Sequence, residues 1–578
     1  MEDKRTVLAI FLCIIVVIMY SELVIAPHTR PPQPVTAPPV SEEIVDRRAP
    51  RPSPVEGTVH SPRVPEVLPE AVSPEELTPP SLEELRNAPQ TTIETGHAIV
   101  ELNHLGARLS SYRLKNYKVS LEDLSLYDLV SRADGAPLPL AVYAGGLNDD
   151  NVMYELEETS LQPQQGSFSI DADETLTLSF IGTLPADGGT IQKTFTFSGN
   201  SNLFDLDVRL SSPVADGSRV WVEWSQFLPP EALDPARAPA FLRLREDNKV
   251  DTIPVSPDDI AEDDRVPHGS SQWVSFSSGY FMASLIPTAT GNNVDIGRDN
   301  DVYFARVSGS GIQAQVRVYA GPKEFETLRD LGFQLERNVN LGIFSFLAHP
   351  LLWFIRLFYS FLHNYGLAII LLTLLIKAAF LPLTKASFRS MRKLQDLQPE
   401  MKALRERIKD PTQLNQEMMA LYKRKKVNPM GGCLPILIQL PVFLGLYNAL
   451  LNSIELRHAP FALWIHDLSS PERLEVLGIG IPVMVLLMGA SMFLQQWTTP
   501  TAMDPTQKKV FMMMPVVFTI IFIIFPFPAG LVLYWLVNNV ISIIQQIYLR
   551  SDKTASPAKA TLVASVVIFV FGYVLTLI

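Results

Sequence analysis

Cysteine is almost absent from this 578-residue chain: there are two, Cys13 and Cys433, each in or beside an apolar stretch and far apart. They supply no disulfide framework and no metal-ligand spacing. Histidine is scarce too, nine residues without a ligand pattern. No His-Glu-x-x-His, Gly-x-Ser-x-Gly or phosphate-binding glycine loop occurs, so the corresponding enzyme classes lack their residues. No metal, cofactor or catalytic centre is expected. Positive charge is in deficit, with 48 Lys+Arg against 60 Asp+Glu and a net of −12. That excludes a nucleic-acid binder whose affinity rests on overall charge, and no DNA partner is expected. Charge of either sign is thin, at 19% of residues against 47% hydrophobic. A soluble protein of this length is less apolar, and a bare membrane bundle carries less charge.

The average hides two populations. Residues 1–340 hold 27 Lys+Arg and 49 Asp+Glu, a net of −22, whereas residues 341–578 hold 21 and 11, a net of +10. An acidic half and a basic half face different surroundings, and a single compact domain is excluded.

Residues 1–26 read as an uncleaved membrane anchor. An apolar run from Thr6 to Ala26 is interrupted only by Ser21 and Glu22, and Pro27 makes a poor cleavage site. Lys4 and Arg5 before it place the N-terminus inside and the next segment outside. Residues 27–90 hold 16 prolines and few aromatics, the composition of an extended linker. From about Thr92 to Pro322 the pattern has period two. Phe204, Leu206, Val208 and Leu210 alternate with polar residues, as do Ala314, Val316, Val318 and Ala320. Such strands, separated by Asp-Gly, Gly-Asn and Gly-Pro turns, predict an antiparallel β-sandwich over 91–340, with acidic residues on its solvent faces and a short helical connector from Pro322 to Val339.

Beyond residue 340 the apolar windows crowd together. Residues 343–363 contain His349, Pro350 and Arg356 among aromatics and suit a helix lying in the membrane interface. Spanning helices are expected at about 366–383, 430–453, 476–497, 510–527 and 529–549, with one more at 561–578. The loops that topology places inside are basic: 385–428 holds twelve basic and five acidic residues. The outer loop 454–475 holds two basic and four acidic. This obeys the positive-inside rule. Within 385–428, Ser387–Lys409 and Thr412–Lys426 lack glycine and flank Asp410-Pro411, a helical hairpin in the making. Its Arg389, Arg392, Lys393, Arg405, Lys423 and Arg424 either set topology at the membrane surface or dock an anionic partner, lipid headgroups or ribosomal RNA.

Polar side chains inside the spans are the next signal. Lys377 lies eight residues before Lys385, about 12 Å along a helix, and a mid-span lysine costs about 2.5–3.5 kcal/mol on insertion scales. Snorkelling covers about half that reach. Thr373 is one turn away on the same face. Gln439, Asn448, Asn452, Gln495 and Gln496 lie on other spans, while Tyr534, Asn538, Ser542 and Gln545 form one stripe. Interhelical hydrogen bonding accounts for about half of these amides. The polar residues gather in the inner half, which suggests a cavity open to the cytoplasm and closed outward. A secondary transporter with an outer binding domain would need internal repeats, and none is visible. A structural anchor for the sandwich would have no need of a wet, asymmetric bundle.

Several motifs resemble the bacterial YidC membrane protein insertases of the YidC/Oxa/Alb family. They are Asn428-Pro429-Met430-Gly431-Gly432-Cys433-Leu434-Pro435 with Pro441, Ala459-Pro460-Phe461-Ala462-Leu463-Trp464-Ile465-His466-Asp467-Leu468, Pro382-Leu383-Thr384-Lys385, and Gly530-Leu531-Val532-Leu533-Tyr534-Trp535. The resemblance covers about 320–550 and implies a multi-domain membrane protein, with a five-helix α-helical core beneath an all-β periplasmic supersandwich, in the Gram-negative inner membrane. It implies an insertase and chaperone for nascent membrane proteins, acting alone or with the Sec translocon, and with ribosomes or targeting factors and lipids as partners. Its hydrophilic groove would use Lys377, Thr373, Gln439, Asn538, Ser542 and Gln545. Apolar substrate segments would leave along the first and fifth core spans, past Tyr534 and Trp535. Two departures stand out. The groove cation is often Arg in this family and here is Lys377, a point charge without the bidentate fork. In place of a long basic tail the chain has Arg550, Lys553 and Lys559 and then the apolar run Thr561–Ile578.

Overall fold

In the computed structural model the described residues are 80–578, except 135, 146, 165, 185–188, 212–218, 230–237, 262–264, 290, 428–433, 500–504, 526, 552–556 and 578. The expected anchor 1–26, the linker up to residue 79 and the motif Asn428–Cys433 lie outside them.

The sandwich follows from its alternation. Strands Leu203–Leu210 and Gln313–Pro322, each apolar at every second residue, pair with one another, setting Phe204 opposite Val318, Leu206 opposite Val316 and Val208 opposite Ala314. These side chains are buried, and on the opposite face Arg317 meets Asp205 at 3.2 Å. The long strand Arg265–Ser278 belongs to two layers at once. Its first half pairs with Asn293–Asp299 and its second with Phe281–Pro287 and Ala240–Arg245, joining a 14-stranded sheet. A second, five-stranded sheet contributes Ile93, Val100 and Leu102 to the same core. Pairing is antiparallel except where Gln90–Glu94 runs parallel to Ser167–Ser169. Among the described residues two α-helices are attached to the sandwich, α1 (Leu82–Asn87) and α2 (Phe325–Leu331). The second is the connector, held by Leu328 and Leu335 against Trp273, whose indole N–H donates to the Phe333 carbonyl at 2.9 Å.

Not all acidic residues lie on the solvent faces. Asp149, Asp150 and Glu223 are buried. Lys193 and Arg108, buried too, reach Asp149 at 2.6 and 2.5 Å, and Arg108 reaches Asp150 at 2.5 Å. Tyr154 and the Val142 amide also donate to Asp149. Removing one member would strand the others without water, so the cluster is a packing constraint. Alternation has no signal for it.

The membrane part begins with α3 (Ser345–Leu362), which buries Ala348, Leu351, Leu352 and Ile355 and exposes Phe346, Trp353, Leu357 and Phe361. Its 18 residues are also long and apolar enough to cross a membrane. Then come α4 (Tyr365–Ala379) and α5 (Leu381–Asp396), bent 60° from one another. A span was expected to run to 383. Pro382, in the first turn of α5, has no N–H to return to the Ala378 carbonyl, so the helix breaks and bends at Phe380. The basic hairpin is α5 and α6 (Gln398–Arg407) against α7 (Pro411–Arg424), closed by Leu397, Met401, Leu421 and Val427. Its first arm breaks at Leu397, ahead of Pro399, rather than running unbroken to Lys409. Asp410 caps α7 by accepting from Thr412 and Gln413.

Four further helices complete the bundle: α8 (Leu434–Asn452), α9 (Val483–Thr498), α10 (Pro505–Ile524) and α11 (Ala529–Ser551). The terminal apolar run forms α12 (Pro557–Leu575), long and apolar enough to span. Residues 476–482, expected to open the span at 476–497, instead belong to a hairpin, Leu474–Val476 with Ile479–Ile481. Gly478 takes a positive φ in its turn and Pro482 withholds a donor at the helix start.

Sandwich and bundle meet at two arginines. Arg356 on α3 contacts Glu326 at 3.2 Å and Glu455 at 2.6 Å. Arg457 donates to the carbonyls of Lys118 and Val119 at 2.6 and 2.9 Å, and lies over the rings of Tyr127 and Phe281.

Two outcomes are expected. Burial pushes the Glu223 carboxyl up to about 7, opposed by Arg306 and Arg108 and assisted by Asp150. The folded state therefore binds the extra proton between the ordinary carboxylate pKa and about 7, and stability falls as pH rises through that window. Glu223→Gln should raise stability at pH 8 by roughly 1–3 kcal/mol and leave it nearly unchanged at pH 4. Denaturant titration of the full chain at both pH values reads this. Secondly, a Cβ on Gly366 would lie 2.0 Å from Phe461 Cδ2. Gly366→Ala should destabilise the outer end of the bundle by roughly 1–3 kcal/mol, seen as a lower Tm in detergent.

Candidate functional site

The outer end of the bundle is sealed by backbone. Asn364 caps α4 by accepting from Leu367, and its amide donates to the Phe461 carbonyl at 3.0 Å. The first amides of α11, Ala529 and Gly530, donate to the carbonyls of Ser470 and Leu468 at 2.8 and 2.9 Å. Glu472 accepts from the Met484 amide at 3.0 Å and from the Trp464 indole. The loop Ala459–Glu472 is thus a cap: it takes up free N–H groups at the starts of α9 and α11 that would otherwise face lipid.

Further in, polar groups sit on α11 and find partners on several neighbouring helices. Lys377, in the last turn of α4, is half-buried and its ammonium donates to Ser542 Oγ at 2.8 Å. Ser542 Oγ donates onward to the Asn538 carbonyl at 2.8 Å. The bend at Phe380 shortens the expected depth of Lys377 below the loop. Its charge is nonetheless turned inward to α11, not along the chain towards Lys385. Among the described residues no carboxylate forms an ion pair with it. Gln439 on α8 donates to the Tyr534 hydroxyl. Asn538 is half-buried on the same helix face.

Two members of the expected set point elsewhere. Thr373 is fully buried and its hydroxyl donates to the Ile369 carbonyl of its own helix at 2.7 Å. Gln545, 3% exposed, donates to Thr561 Oγ1 on α12 at 2.6 Å. Both serve packing. So do Asn539, which donates to Ser491 at 3.0 Å, and Gln546, which accepts from Thr498 at 2.5 Å and donates to Thr499 at 3.0 Å. Ser491, Thr498 and Thr499 were missed by inspection of the sequence, since hydroxyls are common on membrane helices and become informative only once their amide partners are known.

The expected exit along the first and fifth core spans, α4 and α11, meets α12. That helix buries Ala560, Ala564 and Ile568 there and sets Gly572 against Ile370. Tyr534 is 1% exposed, inside the bundle. Trp535 is half-buried between Phe443 of α8 and Phe518 and Phe522 of α10, with ring centroids 4.6, 5.9 and 5.6 Å away. On the basic hairpin Arg389, Arg392, Lys393, Lys423 and Arg424 are exposed and Arg405 is half-exposed.

The described residues contain no cluster of His, Cys, Asp and Glu able to hold a metal ion. Known proteins place the chain. Residues 357–556 match the family model described as 60Kd inner membrane protein, and residues 90–354 match that of the YidC periplasmic domain. A membrane protein insertase YidC of Pelobacter propionicus is 35% identical over 95% of this chain and 99% of its own length. That of Syntrophobacter fumaroxidans is 38% identical over 77% of this chain and 83% of its own. That of Syntrophus aciditrophicus is 35% identical over 95% of this chain and its full length. With an all-β domain outside, an apolar helical bundle below it and relatives matched end to end, the chain belongs to the YidC family of membrane protein insertases.

Proposed function

We propose that this protein inserts and folds nascent inner-membrane proteins through a polar groove open to the cytoplasm, alone or beside the Sec translocon. Lys377 carries the reading: a half-buried ammonium in an apolar bundle, held by one hydroxyl. A charge at that depth is costly unless it is used. An acidic or polar stretch of a nascent chain would take the place of Ser542 at Lys377. Gln439, Tyr534 and Asn538 would offer hydrogen bonds in exchange for those lost from water. No bond is made or broken, and the barrier falls because the polar segment never meets bare hydrocarbon.

The sealed outer end supports a groove rather than a channel. With α12 seated on α4 and α11, the apolar part of the substrate would leave on the other side, between α8 and α10. There only the aromatic cluster around Trp535 has to part. The exposed basic residues of the cytoplasmic hairpin would dock ribosomes, targeting factors or anionic lipid headgroups. In this reading the N-terminus is cytoplasmic and the sandwich periplasmic.

The Lys377→Ala variant in proteoliposomes should insert substrates with an acidic translocated segment about five- to thirtyfold less well, the equivalent of 1–2 kcal/mol of lost charged hydrogen bonding. Lys377→Arg should retain insertion. Equal insertion by wild type and the Ala variant would exclude the groove charge.

A further inference from the structure

The outer hairpin just before α9 has no part in the groove. Leu474 pairs with Ile481 and Val476 with Ile479, and the turn Leu477-Gly478 has φ of 54° and 77°. Turns with two positive φ values ordinarily take Asn-Gly, because a side chain such as leucine is strained there. Here Leu477 is 98% exposed and Ile479 67%, with Val476 also exposed. Glu475 is the hairpin's one charge, and Arg473 at its base donates to the Gly480 carbonyl at 3.3 Å. The tip is apolar, strained and bare.

The length of α9 says what covers it. Its 16 residues make about 24 Å, and Gln495 and Gln496 mark its inner boundary. The apolar stretch Val483–Leu494, broken only by Ser491, is about 18 Å long against about 30 Å of hydrocarbon. The shortfall is on the outer side. What precedes Val483 there is the hairpin, joined through Pro482 alone. A strand of three residues keeps the tip within about 10 Å of the helix end. That is the depth of the outer leaflet's interface.

We propose that hairpin Leu474–Ile481 is a lipid anchor. Val476, Leu477 and Ile479 lie among the acyl chains just beneath the periplasmic headgroups and complete the hydrophobic length that α9 lacks. The assignment uses the inside–outside topology proposed above but not the groove. Its test reads position and not insertion activity, so either can fail alone. The full chain with Cys13→Ser, Cys433→Ser and Leu477→Cys is reconstituted in phosphatidylethanolamine/phosphatidylglycerol vesicles opened to reagent on both faces. A bimane label on residue 477 should be quenched by lipid carrying a nitroxide near the top of its acyl chain, and little by a water-soluble nitroxide. A membrane-impermeant maleimide should react about tenfold more slowly there than at Asp258→Cys on the exposed sandwich surface. Equal reaction rates with water-like emission would overturn the proposal, as would protection that arises only when a second protein is added. Leu477 makes no core contact, so the variant's fold is not at risk.

Discussion

Inside a bilayer a polar group has only other protein groups to bond, and most of this bundle can be derived from that one constraint. Helix α11 is where it acts. Asn539 and Gln546 bond to α9, Gln545 to α12, Tyr534 to α8 and Ser542 to α4. A helix of 23 residues is thereby tied to four neighbours in fixed rotation. One of these ties differs in kind. Amide and hydroxyl pairs satisfy one another, but Ser542 is a weak partner for an ammonium that has three donors. Of these ties the one at Lys377 is the least satisfied, and the proposed function draws on that imbalance.

Much of this was legible in the sequence. Period-two alternation located the two strands that prove to pair with each other. What failed to show has physical causes. Residues 476–482 carry apolar side chains suited to strand or helix alike, and glycine and proline decide between them. The break at Phe380 needed weight given to Pro382 inside an apolar run. Thr373 and Lys377 share a helix face, but a threonine hydroxyl can return to the carbonyl four residues back whereas a lysine cannot. Spacing alone cannot separate two such residues. Nor can it reveal the buried cluster of Arg108, Asp149, Asp150 and Lys193, assembled from three distant segments.

The same distinction applies to the family motifs. Ala459–Leu468 carries aromatic residues and one carboxylate and resembles a binding sequence, yet its Phe461 and Leu468 carbonyls accept from Asn364 and from the first turn of α11. Its strict chemistry reflects backbone groups that have no other partner at the membrane's outer edge. In the proposed function the groove would depend on that cap, because water entering from outside would screen the charge at Lys377.

Arg457 joins parts of the chain that are far apart in sequence. It grips carbonyls 339 and 338 residues earlier in the chain, so its contacts are among the least local in the molecule. The loop bearing it can dock only on a surface already formed, and the strand that supplies Lys118 and Val119 emerges from the ribosome long before. Contacts of such separation close last and slowly. This junction between sandwich and membrane core can therefore form only after most of the chain has been made.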